Sequence, residues 1–158
     1  MAEELADLTP EMKAAIGTSG PPSTVEVTTQ GIRTFARAVG YTNRIYYDEE
    51  YAKSKGHRAL PAPPGFFGMP VYNPFARREA PRAQFNNPFK RALNGGTEVE
   101  PIEHVYAGDV LETVTTLADL RLRKGRLGQM LVRTSETVYT RQSDGAVVAK
   151  TRGTGISY

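Results

Sequence analysis

The chain has 158 residues, a length that suits one domain able to bury a sizeable core without help from metals or disulfides. It contains no cysteine, which excludes disulfide frameworks and thiolate metal sites, and no apolar run approaches a membrane span or signal-peptide core, so a cytoplasmic protein with no membrane partner is expected. The formal charge of +3 arises from 20 Lys and Arg against 17 Asp and Glu, and these cations are scattered, with only short pairs such as Arg77-Arg78 and Lys90-Arg91, which points to a solvated surface and no nucleic-acid partner.

In chain order, Leu5, Leu8, Met12 and Ile16 recur at spacings of three or four around Pro10, which predicts a short helix after Thr9-Pro10. Residues 17–23 form a turn-rich link, and 24–27 read as a short strand. Ile32, Phe35, Ala36 and Val39 fall at i, i+3, i+4 and i+7, so a helix with one apolar face follows, capped by Thr28 or Thr29. A polar loop, residues 40–46, leads to a second helix. Asp48 is its cap, Glu49 and Glu50 suit its positive end, Lys53 and Lys55 its negative end, and Gly56 permits a left-handed exit.

Between Leu60 and Pro88 the prolines at 61, 63, 64, 70, 74, 81 and 88 leave no room for a long helix, because each removes a backbone donor and clashes with the preceding turn. Strand-like segments then occupy 97–104, 109–123, 127–141 and 146–156, with turns at Lys124-Gly125-Arg126 and Ser143-Asp144-Gly145. In the second segment Leu111, Thr113, Thr115 and Leu117 alternate with Val110, Glu112, Val114 and Thr116; in the third, Met130, Val132, Thr134, Glu136 and Val138 share a face. Strands of this length suit a curved antiparallel meander wrapped around a central element.

The loop Gly40-Tyr41-Thr42-Asn43-Arg44-Ile45-Tyr46 resembles that of MaoC-type enoyl-CoA hydratases, which carry G-D-x-N-P-x-H there, followed by a D-x-x-x-A helix. Gly40, Asn43, Asp48 and Ala52 match. The family's catalytic aspartate falls on Tyr41, its catalytic histidine on Tyr46 and its proline on Arg44. A tyrosine with an ordinary pKa of about 10 is poorly matched to proton transfer at neutral pH. The narrower resemblance is to the non-catalytic N-terminal half of MaoC dehydratases, whose loop reads N-x-x-Y-Y-D-E-x-Y-A; Asn43, Tyr46, Tyr47, Asp48, Glu49, Tyr51 and Ala52 follow it. Two further segments resemble the same class: Leu93-Asn94-Gly95-Gly96-Thr97-Glu98, and Tyr106-Ala107-Gly108-Asp109-Val110-Leu111, where Gly108 frees the backbone and Asp109 can bond to it.

The resemblance implies an α+β hot-dog fold forming a single domain over residues 1–158, with short helices first, a long curved antiparallel sheet, and a central helix shortened or missing where Ala62-Pro63-Pro64 stands. It implies a non-catalytic subunit of a heteromeric enoyl-CoA hydratase. In that reading this chain shapes the acyl tunnel and a partner MaoC-type chain supplies aspartate and histidine, in a dimer or dimer of dimers. No cofactor is expected beyond the coenzyme A thioester that is itself the substrate, some of whose phosphates meet Lys or Arg. Bulky acyl-CoA esters, such as those of steroid or fatty-acid degradation, are the expected substrates, because loops in place of a full helix leave a roomier pocket unless Phe66, Phe67, Met69 and Phe75 fold back to fill it. The rival reading is a non-enzymatic acyl-CoA-binding or regulatory hot-dog protein.

No residue of this chain is expected to be catalytic, and the two histidines, His57 and His104, make no metal site. Substrate contacts are expected from Tyr41, Asn43 and Tyr46, and from Pro63, Pro64, Gly65, Phe66 and Phe67, whose apolar side chains and close-approaching glycine suit an acyl pocket. The tyrosines suit an interface equally well, since one end of Tyr tolerates burial and the other water.

Overall fold

The computed structural model describes residues 7–71, 85–126 and 128–158. Leu5, Pro74, Phe75, Arg77, Arg78, Pro81 and Leu127 lie outside the described residues. The chain begins with α1 (Pro10–Ala15), whose first free amide is met by the Thr9 hydroxyl accepting from the Met12 N–H. β1 (Ser23–Glu26) follows, then α2 (Thr29–Ala38), capped by Thr28 through the Gly31 N–H at 3.0 Å. In α2 Ile32 and Ala36 are fully buried and Phe35 is half-buried, but Val39 is 49% exposed. The helix ends at Val39 and Gly40 turns away with φ +78°, so the fourth position of the apolar stripe leaves the core.

α3 (Glu49–Ser54) is capped by Asp48, which accepts the Tyr51 N–H at 3.0 Å, and Lys53 pairs with Glu49 one turn back. Only Ala52 of this helix is buried. No helix occupies 57–71 or 85–91, and among the described residues no helix is long and apolar enough to cross a membrane.

The remaining elements are β2 (Met69–Pro70), β3 (Ala92–Pro101), β4 (Val110–Gly125), β5 (Gly128–Arg141) and β6 (Val147–Ser157). They join β1 in one sheet of order β2-β1-β4-β5-β6-β3, antiparallel at every pairing. This is the hot-dog arrangement: short helices, then a long meander curled around them. β3 starts at Ala92, earlier than the residue 97 expected, because Asn94-Gly95-Gly96 is a bulge inside the strand and not its entry. Gly95 has to be bare there, since a Cβ would lie 2.9 Å from Thr154 Cγ2. The β4–β5 turn falls later than expected, with Gly125 still paired to Gly128. β2 is two residues long, too short to show a sequence period.

One face of the sheet is inner. On β4 it carries Leu111, Thr113, Thr115 and Leu117, and a register shift between Leu117 and Asp119 keeps Leu120 on that face. On β5 it carries Leu131 and Tyr139, so the set Met130, Val132, Thr134, Glu136 and Val138 is indeed shared, on the outer face. Two apolar clusters pack on the inner face. The first joins Val27, Ile32, Ala52, Leu60, Phe66, Val105, Leu111 and Val148; the second joins Met12 and Ala15 of α1 to Leu117, Leu120 and Leu131.

Gly31 tests how tightly the first cluster is filled. Alanine in a helix interior is ordinarily favoured over glycine by about 0.5–1 kcal/mol. A Cβ at Gly31, however, would stand 2.8 Å from Phe66 Cζ and 3.0 Å from Thr28 Oγ1, and overpacking a filled core costs typically about 1–3 kcal/mol. Gly31→Ala is therefore expected to lower the urea unfolding midpoint. An unchanged or raised midpoint would show that the Phe66 ring gives way freely.

Candidate functional site

The loop between α2 and α3 is fixed by its own hydrogen bonds. Tyr41 donates its N–H to the Ala36 carbonyl at 2.8 Å, and the Tyr47 hydroxyl donates to the Tyr41 carbonyl at 2.5 Å. Asn43 accepts the Ile45 N–H at 3.1 Å and so starts a single 3-10 turn, Arg44–Tyr46. Arg44 grips Asp48 through Nε at 3.0 Å and Nη2 at 2.6 Å, and its guanidinium lies 4.8 Å above the Tyr51 ring. Arg33 Nε donates to the Tyr47 carbonyl at 3.1 Å.

Tyr41 and Tyr46 are brought together, with ring centroids 5.9 Å apart. Tyr41 is exposed, and Tyr46 is half-buried against the first apolar cluster. Burial, and secondarily the neighbouring Tyr41, push the Tyr46 hydroxyl above the ordinary tyrosine pKa. It therefore stays protonated through neutral pH, able to donate a hydrogen bond but not to take a proton as a base. Asp48 is committed elsewhere: the Tyr51 N–H, and next the Arg44 guanidinium, hold its carboxyl below the usual range.

The shift at Tyr46 carries a stability consequence. Its folded-state pKa lies above the unfolded value, so its contribution is complete below the unfolded tyrosine value of about 10 and is lost as pH rises through the higher folded value. The unfolding midpoint of the wild type should fall more steeply above about pH 10 than that of Tyr46→Phe. Parallel profiles would show that the hydroxyl ionises as freely in the fold as outside it.

The 63–67 stretch lies against the same cluster. Ala62 donates its N–H to the Val105 carbonyl at 2.7 Å, Pro63 is fully buried, and the Phe66 N–H returns to the Pro63 carbonyl at 3.0 Å. Phe66 is buried, tilted on Phe35 at 5.3 Å between centroids, and Phe67 rests half-buried on Tyr139 at 4.9 Å. Tyr46, Phe66 and Phe67 thus share one apolar cluster, while Tyr41, Asn43, Pro64 and Gly65 are on the surface, the last with φ +87°. Met69 is 56% exposed.

A second constellation was not legible as a unit in the sequence. His57 Nδ1 lies 3.3 Å from the Tyr106 hydroxyl, the His57 and His104 rings meet edge to face at 5.8 Å, and the Arg58 guanidinium stacks 4.5 Å over Tyr106. Asp109, 6% exposed, accepts the Tyr106 N–H at 2.9 Å, pairs with Arg58, and lies 3.6 Å from Arg141 Nε. Arg141 also donates to Asp144 at 2.7 Å, to Glu103 at 3.1 Å and to the His104 carbonyl at 3.1 Å. The three segments involved, 57–58, 103–109 and 141–144, are far apart in the chain, and only the Gly108-Asp109 turn hinted at them. An open cavity of about 590 Å³ borders this network, but its two guanidiniums already face three carboxylates. Among the described residues no group of three His, Asp or Glu could hold a metal ion.

Residues 14–150 match the family described as FAS1-like, dehydratase domain region. A UPF0336 protein of Streptomyces griseus is 33% identical over 112 residues, which cover 70% of this chain and 73% of that one. Among solved structures, the C-terminally truncated HadBC (3R-hydroxyacyl-ACP dehydratase) complex of Mycobacterium tuberculosis superposes with a TM-score of 0.68 at 19% identity, covering 90% of this chain and 97% of that one. The ChsH1-ChsH2 complex of the same organism gives 0.67 at 18% identity over 92% and 86%. With the tyrosine-bearing loop standing on a hot-dog sheet and the family match spanning most of the sequence, the chain belongs to the family described as FAS1-like, dehydratase domain region.

Proposed function

We propose that this chain is the non-catalytic, tunnel-shaping subunit of a heteromeric enoyl-thioester hydratase, acting with a MaoC-type partner that carries the aspartate and histidine. One observation carries the reading: the loop positions that by resemblance match the MaoC acid/base pair are Tyr41 and Tyr46, whose rings stand together, and burial pushes the Tyr46 hydroxyl further from neutral pH. Syn addition of water across an enoyl thioester needs a base for the water proton and an acid for the α-carbon, and neither tyrosine meets the first need. Similar folds occur in HadBC and ChsH1-ChsH2, both named as complexes of two subunits, which supports a paired assembly.

The substrate in this reading is an acyl-CoA ester with a bulky acyl group, since no helix occupies residues 57–71 to narrow the tunnel, although Phe66 and Phe67 fold back on Phe35 and Tyr139 and fill part of that space. Tyr41, Asn43, Tyr46 and the 63–67 stretch border the acyl group in the assembled pair. Co-expression with a MaoC-type chain that retains G-D-x-N-P-x-H, followed by co-purification and assay on a panel of enoyl-CoA esters, tests the proposal. A stable complex whose turnover exceeds that of either chain supports it. Failure to associate with any such partner, with tight acyl-CoA binding by the single chain, would favour a binding protein instead. Far better turnover of crotonyl-CoA than of any branched or ring-bearing ester would remove the bulky-substrate element alone.

A further inference from the structure

The middle of the inner sheet face, between the two apolar clusters, is polar. The register places three cross-strand rows side by side: Thr115, Thr137 and Thr151; then Ser135, Gly153 and Thr97; then Arg133, Gly155 and Asn94. These rows floor an open groove of about 330 Å³, at the small end of the roughly 300–1,000 Å³ usual for ligand sites. Glycines provide its depth. A Cβ at Gly153 would meet nothing within 4 Å, and at Gly155 the nearest atoms, at 3.9 Å, are those of the Arg133 guanidinium.

Two features of the floor point to its ligand. The hydroxyls of Thr115 and Thr137 are 2.8 Å apart and bond to each other, which leaves one hydroxyl hydrogen and further lone pairs to be satisfied. An all-hydrocarbon chain laid over this row would strand those groups away from water, and each stranded group carries a desolvation penalty. The second feature is Arg133, the one cation of the groove lining, whose guanidinium has no carboxylate or hydrogen-bond partner among the described residues.

We infer that this groove selects an oxygen-bearing acyl group ending in a carboxylate, with Arg133 receiving the carboxylate and the Thr115-Thr137-Thr151 row facing the neutral oxygen functions. The inference deepens the acyl-thioester reading and rests on it. A carboxylate fits better than a carrier phosphate because the groove lining supplies a single cation, whereas a diphosphate brings two or more charges.

Calorimetric binding to the purified full chain tests this without any turnover, so it stands apart from failure of the hydratase reading. Three probes are compared: a dicarboxylic acyl-CoA with a free distal carboxylate, the monocarboxylic acyl-CoA of equal length, and coenzyme A alone. The free-carboxylate ester should bind the wild type roughly 10- to 100-fold more tightly than its apolar counterpart, and Arg133→Gln should erase that difference. Because Arg133 is exposed and has no partner among the described residues, Arg133→Gln should fold with an unchanged melting midpoint, and Arg133→Lys should restore part of the preference. Equal binding of both esters by the wild type would overturn the inference. So would equal weakening of all three probes, coenzyme A included, by Arg133→Gln, because the anion read would then be the carrier's phosphate.

Discussion

Purified alone, the chain is expected to hydrate no enoyl thioester above the background rate. General acid/base assistance is worth typically about 10² to 10⁴ in rate, and in the proposed reading the two loop positions that resemble the MaoC acid/base pair hold Tyr41 and Tyr46. Burial and the neighbouring ring hold the Tyr46 proton on more firmly than in free tyrosine, which moves it further from the role of a base. Among the described residues, four other titratable side chains near the first cluster already have partners. Asp48 caps α3 and binds Arg44, Asp109 is clamped by Arg58 and Arg141, and His57 and His104 rest on each other and on Tyr106. A direct hydration assay on the single chain checks this. Robust turnover that disappears in Tyr46→Phe would make the tyrosine a genuine acid.

Asp109→Asn should be the most damaging single substitution outside the apolar core. Asp109 is nearly inaccessible; its two carboxylate oxygens bond Arg58 and the Tyr106 N–H and face Arg141 Nε at 3.6 Å, joining the segment after α3, the loop before β4 and the end of β5. Removing one member of a buried ion pair costs typically about 3–5 kcal/mol, because the remaining charge is left in the interior. Arg141 keeps Asp144 and Glu103, both half-exposed, so a loss near about 3 kcal/mol is expected. Arg58 is 53% exposed, and Arg58→Met should cost no more than about 1 kcal/mol. Urea unfolding of the two variants separates these. Equal, small losses would mean that the buried carboxylate is stabilised by the turn at Gly108, which has φ +93°, and not by the guanidiniums.

Much of this architecture follows from short-range chemistry. Thr9, Thr28 and Asp48 announce their helices because a cap and the amide it accepts lie within three residues. The Pro-rich 60–71 stretch excludes a helix for equally local reasons. What escapes is set by pairing. Gly95-Gly96 looks like a loop until Thr154 and Ile156 of β6 are seen to need the space, and the shift after Leu117 reassigns faces that strict alternation would misplace. The tyrosine-bearing loop is one contiguous stretch and so was legible. The Arg58-Asp109-Arg141 clamp and the row of threonines beside Arg133 exist only once residues tens of positions apart are brought into register.

The most direct measurement of the proposed division of labour is kcat of this chain reconstituted with a MaoC-type partner, with the acid/base candidates removed from one chain at a time. Replacing the partner's aspartate or histidine should lower kcat by about 10² to 10⁴, while Tyr41→Phe and Tyr46→Phe in this chain should leave kcat within a few-fold and act, if at all, on KM. Collapse of kcat in Tyr46→Phe, with activity surviving loss of the partner's aspartate and histidine, would contradict a non-catalytic role.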